Sequence, residues 1–209
     1  MSDQVIAIDG PAGSGKSSVA RSLAAALGWS FLDTGAMYRA VTVEALRRGI
    51  DVHDEAAMAE LAGVVALSTL PRVSVDGRDV QDEIRTDEVN LAVSVVAANP
   101  LVRRHMVERQ REFAHVQPLG TVVEGRDITT VVFPNATLKV FLTASLEERA
   151  RRREDESEAS VARRDDADTT RVASPLRQAH DALVLDTTGR NVDDAVEEII
   201  QWLTHKILS

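Results

Sequence analysis

Gly10-Pro11-Ala12-Gly13-Ser14-Gly15-Lys16-Ser17 decides how the rest of this 209-residue chain is read. It fits the pattern G-x-x-x-x-G-K-[ST], in which glycines let the backbone curl until successive N–H groups point at phosphate oxygens. Its surroundings are those the chemistry requires. Gln4-Val5-Ile6-Ala7-Ile8 is an apolar run that reads as a buried strand ending at Asp9, and Gly15 to Leu27 carries Ala and Leu at helical spacing up to a stop at Gly28. The helix brings its positive N-terminal end to the same anion. Lys16 is expected to reach the β and γ phosphates of a nucleoside triphosphate, and the Ser17 hydroxyl to coordinate Mg²⁺.

Outward from this loop, short β-rich runs alternate with longer helical patterns, the signature of βαβ units and a parallel sheet. Ser30-Phe31-Leu32, Gly120 to Glu124, Leu138 to Leu142 and Ala182 to Asp186 are the further strands, and a closing helix runs from about Val192 to Ile207. Helical patterns cover Ala36 to Arg48, Asp54 to Val65, Thr86 to Ala98 and Pro100 to about His115. Around Asp76-Gly77 alternating residues announce a β-hairpin. The expected fold is therefore α/β: a P-loop three-layer α/β/α domain with a five-stranded parallel sheet. The core takes residues 1–53, 100–148 and 173–209. An insertion over 54–99 contains the small hairpin, and a short, charge-dense lid covers 149–172.

Composition narrows the function. Hydrophobic residues at 44% and charged residues at 27% are ordinary for a globular protein, and the chain has no cysteine, which excludes disulfides, thiolate metal sites and a cysteine nucleophile. A net charge of −9 argues against a nucleic-acid polymer as partner. No run approaches the roughly 18 apolar residues a membrane span needs, and no signal peptide is evident, so a cytoplasmic protein is expected. The five histidines have no metal-ligand spacing, and Trp29, Trp202 and Tyr38 are too scattered to form a base-stacking platform. An Asn-Lys-x-Asp guanine reader is missing, and the chain is too short for a motor or transporter ATPase. What remains is a small kinase with a second, arginine-lined pocket for an acceptor phosphate or carboxylate.

Arginine-bearing motifs supply such a pocket. Asp33-Thr34-Gly35-Ala36-Met37-Tyr38-Arg39 and Glu124-Gly125-Arg126-Asp127 each follow a strand, at the carboxyl edge where open α/β sheets bind ligands. Arg164, Asp168 and Arg171 lie in the lid. Arg151-Arg152-Arg153, among Glu147, Glu148, Glu154 and Asp155, reads as a solvated helix face. Glu124 and Asp33 compete for the carboxylate that orders water on Mg²⁺.

With these motifs the chain resembles the bacterial cytidylate kinase family from Ile6 to about Thr188. The resemblance rests on Ile8 to Lys16, Leu32 to Arg39, Glu83-Ile84-Arg85-Thr86, Gly125 to Ile128 with Val131-Val132-Phe133-Pro134, Arg164-Asp165 through Asp168 to Arg171, and Asp186-Thr187-Thr188, six motifs in the family's order. It implies transfer of the γ-phosphoryl group of ATP to CMP or dCMP, with small-molecule substrates and a monomeric enzyme. It also implies roles. Residues 10–17 with Ser18, Arg149 and Thr187 would hold ATP, Thr187 beside the adenine. Arg39 and Arg126 would hold the CMP phosphate, with Arg103 near it and near the base. Ser94 and Asp127 would read the cytosine edge, with Thr34 and Tyr38 close by. Asp168 would accept from the ribose hydroxyls, with Arg171 alongside. Arg149, Arg153 and Arg164 would close over the transferring group, and Lys16, Arg126, Arg153 and Arg164 form the catalytic set.

Two departures from the family pattern raise expectations of their own. Thr129 stands where the family usually has glycine; if that glycine serves a positive φ or a close ligand approach, a β-branched residue strains the loop. The segment between Arg153 and Arg163 is shorter than usual, and a short lid is expected to exclude water less well and permit more ATP hydrolysis without acceptor. The alternatives left open are a kinase of the same fold acting on UMP or another small acceptor, and a nucleotide-binding regulatory protein that has lost transfer activity.

Overall fold

The computed structural model describes residues 4–152, 166, 169 and 174–208. In chain order the elements are β1 (Val5–Asp9), α1 (Lys16–Leu27), β2 (Ser30–Asp33), α2 (Thr34–Arg47), α3 (Glu55–Val64), β3 (Leu67–Ser68), β4 (Ser74–Val75) and β5 (Arg78–Asp79). A 3₁₀ turn (Glu83–Arg85) leads to α4 (Asp87–Ala98) and α5 (Pro100–His115). Then come β6 (Thr121–Gly125), a π-helical turn (Ile128–Val132), β7 (Leu138–Thr143), α6 (Leu146–Arg151), β8 (Leu183–Asp186) and α7 (Val192–Leu208). Two compact units result, Met1–Leu32 with Phe113–Ser209, and Asp33–Glu112.

The first unit holds the five-stranded parallel sheet expected from the alternation, in the order β2-β6-β1-β7-β8. The loop-bearing strand β1 is central, paired with β6 on one side and β7 on the other. All five of its residues are buried. That two-sided burial is why the strand is continuously apolar rather than alternating. Ile6, Ile8, Leu23, Val122, Val140, Leu142 and Ile199 form the core over which α1 and α7 pack. The register sets Asp9 beside Gly125 and Phe141, so β1 and β6 end level, β7 runs two residues further, and the three strands deliver their loops to one edge.

The second unit carries α2–α5 and a three-stranded antiparallel sheet, β3-β4-β5. Asp76 and Gly77 both have positive φ, 50° and 79°, the geometry a two-residue hairpin turn demands. Strand β3 has no counterpart in the sequence reading, which saw only the hairpin. It is recruited by Asp76, whose amide donates to Ala66 O at 2.8 Å while its carboxylate accepts from Ala66 N–H at 2.8 Å. The division between units also differs from the 54–99 insertion read from sequence: α2, which packs with α3, α4 and β4, and nearly all of α5 belong with the inserted segment. Glu44 anchors this unit. Its buried carboxylate accepts from Arg47 and Arg48, chiefly Arg47, and these hold its pKa down at about 2.

Candidate active site

The phosphate loop is a backbone structure whose shape is imposed by what its glycines touch. A Cβ on Gly10 would lie 2.1 Å from the Leu142 carbonyl oxygen. One on Gly13, at φ 78°, would lie 2.7 Å from the Arg149 carbonyl oxygen. Neither position tolerates a side chain.

The loop carbonyls are held in sequence by four side chains. Lys16 Nζ donates to Pro11 O at 2.8 Å, and Arg149 Nη1 to Ala12 O at 3.2 Å. Arg152 Nη1 donates to Gly13 O at 3.5 Å, and Thr187 Oγ1 to Ser14 O at 3.1 Å. A peptide carries its C=O and N–H on opposite sides, so fixing these carbonyls also fixes the direction of the amides with which such a loop meets an anion. The buried Ser14 hydroxyl makes no hydrogen bond within the described residues.

The helix that follows is left open for a ligand. Gly15 occupies the N-cap of α1 with no side-chain hydrogen bond, and no acidic residue sits in the first turn. By contrast Asp33, Asp54 and Ser145 cap α2, α3 and α6 with their own side chains. The uncapped N–H groups and dipole of α1 are available to phosphate. Ser17 and Ser18 are exposed in that first turn, where a hydroxyl can meet a cation carried by the nucleotide.

Arg152 makes contacts at the phosphate loop that the sequence reading missed, having placed it on a solvated helix face. Besides Gly13 O, it donates from Nη1 to Thr187 Oγ1 at 2.9 Å and from Nη2 to Thr187 O at 2.7 Å, with Glu148 accepting from its Nε at 2.9 Å. It thus ties α6, the loop after β8 and the phosphate loop together. Only Glu148, four residues away, was visible as a partner in sequence; Thr187 and Gly13 lie far along the chain.

At the end of β6, Glu124 is buried opposite Ile8, and Arg126 and the buried Asp127 follow. Thr129 does not have a positive φ, the only non-glycine residues with one among those described being Asp76 and Ser174. The strain that a positive φ would impose on a β-branched residue is therefore not present. Instead Thr129 lies buried in the π-helical turn and donates from both its amide and its hydroxyl to Asp9, at 2.7 and 2.6 Å. Burial pushes the Asp9 carboxyl above its usual range, and the hydrogen bonds from Thr129 and Ile128 oppose that shift.

The second unit carries the other expected acceptor residues. Arg39, in the second turn of α2, donates from Nη1 to Ile84 O and to Asn90 Oδ1, both at 2.8 Å. The Glu83–Thr86 motif thus presents a carbonyl that orients Arg39, which is not a loose surface charge. Arg103 is buried, donates to Ala97 O at 3.4 Å, and has its guanidinium carbon 5.9 Å from the centre of the Tyr38 ring. Thr34 and Tyr38 are buried on α2, and Ser94 is half-buried on α4. Asp33 spends a carboxylate oxygen on capping α2, accepting from Ala36 N–H at 2.9 Å. Arg153, Arg164, Asp168 and Arg171 lie outside the described residues.

A central parallel strand, a glycine loop wrapped by cationic side chains and an uncapped helix define a P-loop phosphotransferase. Comparison with known proteins makes this specific. The family model for cytidylate kinase matches residues 6–205. The chain is 52% identical to the cytidylate kinase of Mycobacterium leprae (strain Br4923), covering 90% of both chains, and 47% identical to that of Geobacillus kaustophilus (strain HTA426), covering 97% of both. The chain belongs to the cytidylate kinase family. In fold it is similar to a shikimate kinase from Acinetobacter baumannii, with a TM-score of 0.54 at 17% identity over 99% of this chain and 96% of the other, the α/β three-layer arrangement.

Proposed function

We propose that this chain transfers the γ-phosphoryl group of ATP to CMP or dCMP, giving CDP or dCDP and ADP. The observation that carries the reading is the cytidylate kinase match over residues 6–205, a span that takes in every candidate site residue named above. Phosphoryl transfer leaves the protein little covalent work; positioning two polyanions and offsetting their repulsion is the task. The phosphate-loop amides and the start of α1, with Lys16, hold the triphosphate, and Arg149 and Arg152 fix the loop from behind. Arg39 and Arg126 take the acceptor phosphate, and Ser94, Arg103 and Asp127 face the cytosine. Arg153 and Arg164 complete the cation set on the transferring group, and Asp168 with Arg171 takes the ribose.

The exposed Ser17 hydroxyl suits Mg²⁺, which has few protein ligands when it arrives on a nucleotide. Glu124 is the carboxylate we assign to its water shell, because Asp33 is committed to capping α2. When bound, the ion neutralises charge on the β and γ phosphates. No described helix is long and apolar enough to cross a membrane. The reading of a monomeric cytoplasmic enzyme that acts on small nucleotides rests on the family alone.

The test is ADP formation from Mg-ATP in parallel with CMP, dCMP, UMP, AMP and no acceptor. Turnover led by CMP and dCMP is expected. Turnover led by UMP or AMP would move the substrate assignment elsewhere in the fold class, and ATP and CMP binding without CDP would make the chain a nucleotide-binding regulator.

A further inference from the structure

We propose that Thr129 is a positioning residue for the acceptor: bonded to Asp9, it locks the Arg126–Asp127 turn to the strand that carries the phosphate loop. This rests on the reading above that Arg126 and Asp127 hold CMP.

The geometry is confined to a few bonds. Asp9 is the last residue of β1, adjacent in sequence to Gly10 and buried. Its Oδ1 accepts from Ile128 N–H at 2.9 Å, and its Oδ2 accepts twice from Thr129, through the amide and the hydroxyl. The carboxylate therefore does for the π-helical turn what a capping side chain does for a helix, taking the N–H groups at its start. The other side of the turn is fixed too. Asp127 O accepts from Val131 N–H at 2.9 Å and from Val132 N–H at 3.2 Å, and Ile128 O accepts from Phe133 N–H at 2.7 Å.

Asp127 is thus clamped between its own carbonyl, held by the turn, and the next two amides, held by Asp9. Arg126 immediately precedes this clamp. A π-helical turn is rare and recurs at functional positions, and here it re-aims the chain between a strand end and an acceptor pair. The two amide bonds are available to any residue at 129 except proline. Only the hydroxyl bond is specific to threonine or serine, and it is buried.

The consequence is a split effect. Removing the hydroxyl loosens the turn that aims Arg126 and Asp127 while leaving Gly10 to Ser17 intact. Thr129→Val, close to isosteric, is expected to raise KM for CMP about tenfold, with the affinity for ATP within about twofold of the parent, and Thr129→Ser is expected to restore KM. Thr129→Ala serves as a second hydroxyl-free variant should valine compromise folding, with thermal melting recorded for all three. An unchanged KM for CMP in Thr129→Val and Thr129→Ala overturns the proposal. So does equal loss of ATP and CMP, the mark of a general structural role, or a Thr129→Ser variant as impaired as valine. Arg126→Ala is measured alongside. If it abolishes CMP use while Thr129→Val leaves the KM for CMP unchanged, the positioning role fails and the acceptor assignment stands. If Arg126→Ala leaves CMP use untouched, the acceptor assignment fails and takes the positioning role with it.

Discussion

The phosphate loop of the first unit and the arginines of the second, which we propose hold the two phosphates, are built by opposite means. In the loop, cationic side chains grip the backbone: Lys16, Arg149 and Arg152 donate to the carbonyls of Pro11, Ala12 and Gly13, and an uncapped α1 offers its amides to the ligand. In the second unit the backbone grips the side chain: Ile84 O holds Arg39 and Ala97 O holds Arg103. A site built of amides must be shaped by local sequence, because only certain residues permit the curl. A site built of arginines needs only a rigid helix and a carbonyl nearby. The first is written in eight consecutive residues; the second is scattered over more than sixty.

The contrast predicts different sensitivities. The largest effect is expected for Lys16→Met, which removes the charge on the transferring phosphates and should cost on the order of 10³ in kcat with folding preserved, read by steady-state kinetics and circular dichroism. An effect below tenfold would mean that the loop amides alone do the work. Arg126→Ala is next, with a fall of roughly 10²–10³ in kcat/KM for CMP and ATP affinity nearly unchanged, measured by acceptor titration and ATP calorimetry. Equal loss of both ligands would erase the distinction between the two sites.

Gly13→Ala tests the backbone-built half. The left-handed φ and the Arg149 carbonyl in the way should lower stability by about 1–2 kcal/mol and weaken ATP binding without a selective effect on CMP, checked by denaturant melts and nucleotide titration. The smallest effect belongs to the second unit's anchor. Glu44 has a folded pKa of about 2, below its ordinary 4.5, because Arg47 and Arg48 favour the charged form. A depressed carboxyl stabilises above its unfolded pKa, so that contribution is full at neutral pH and is lost as pH falls from about 4.5 toward 2. With the arginine partners solvent-exposed, Glu44→Gln should cost roughly 1 kcal/mol at pH 7 and flatten the stability curve in that acid window.

How far the sequence could be read follows the same divide. The strands, the phosphate loop and the Asp76-Gly77 hairpin were legible because each is specified by neighbours in the chain. Strand β3 was not, because two residues pair only after Asp76 reaches back to Ala66. Arg152 looked like one of several helix-face charges because its partners Thr187 and Gly13 are 35 and 139 positions away. Thr129 looked like a source of strain for the same reason: its acceptor lies 120 positions back, at the end of β1. Long-range hydrogen bonds are invisible to periodicity, and they are what distinguishes a positioned side chain from a solvated one.

The most direct test of the account is ³¹P NMR of the intact chain with Mg-ATP and CMP. The γ-phosphorus signal of ATP should be replaced by the β-phosphorus of CDP, with ADP forming in equal amount. Inorganic phosphate accumulating without CDP, or no change in the ATP signals while both nucleotides bind, would contradict it.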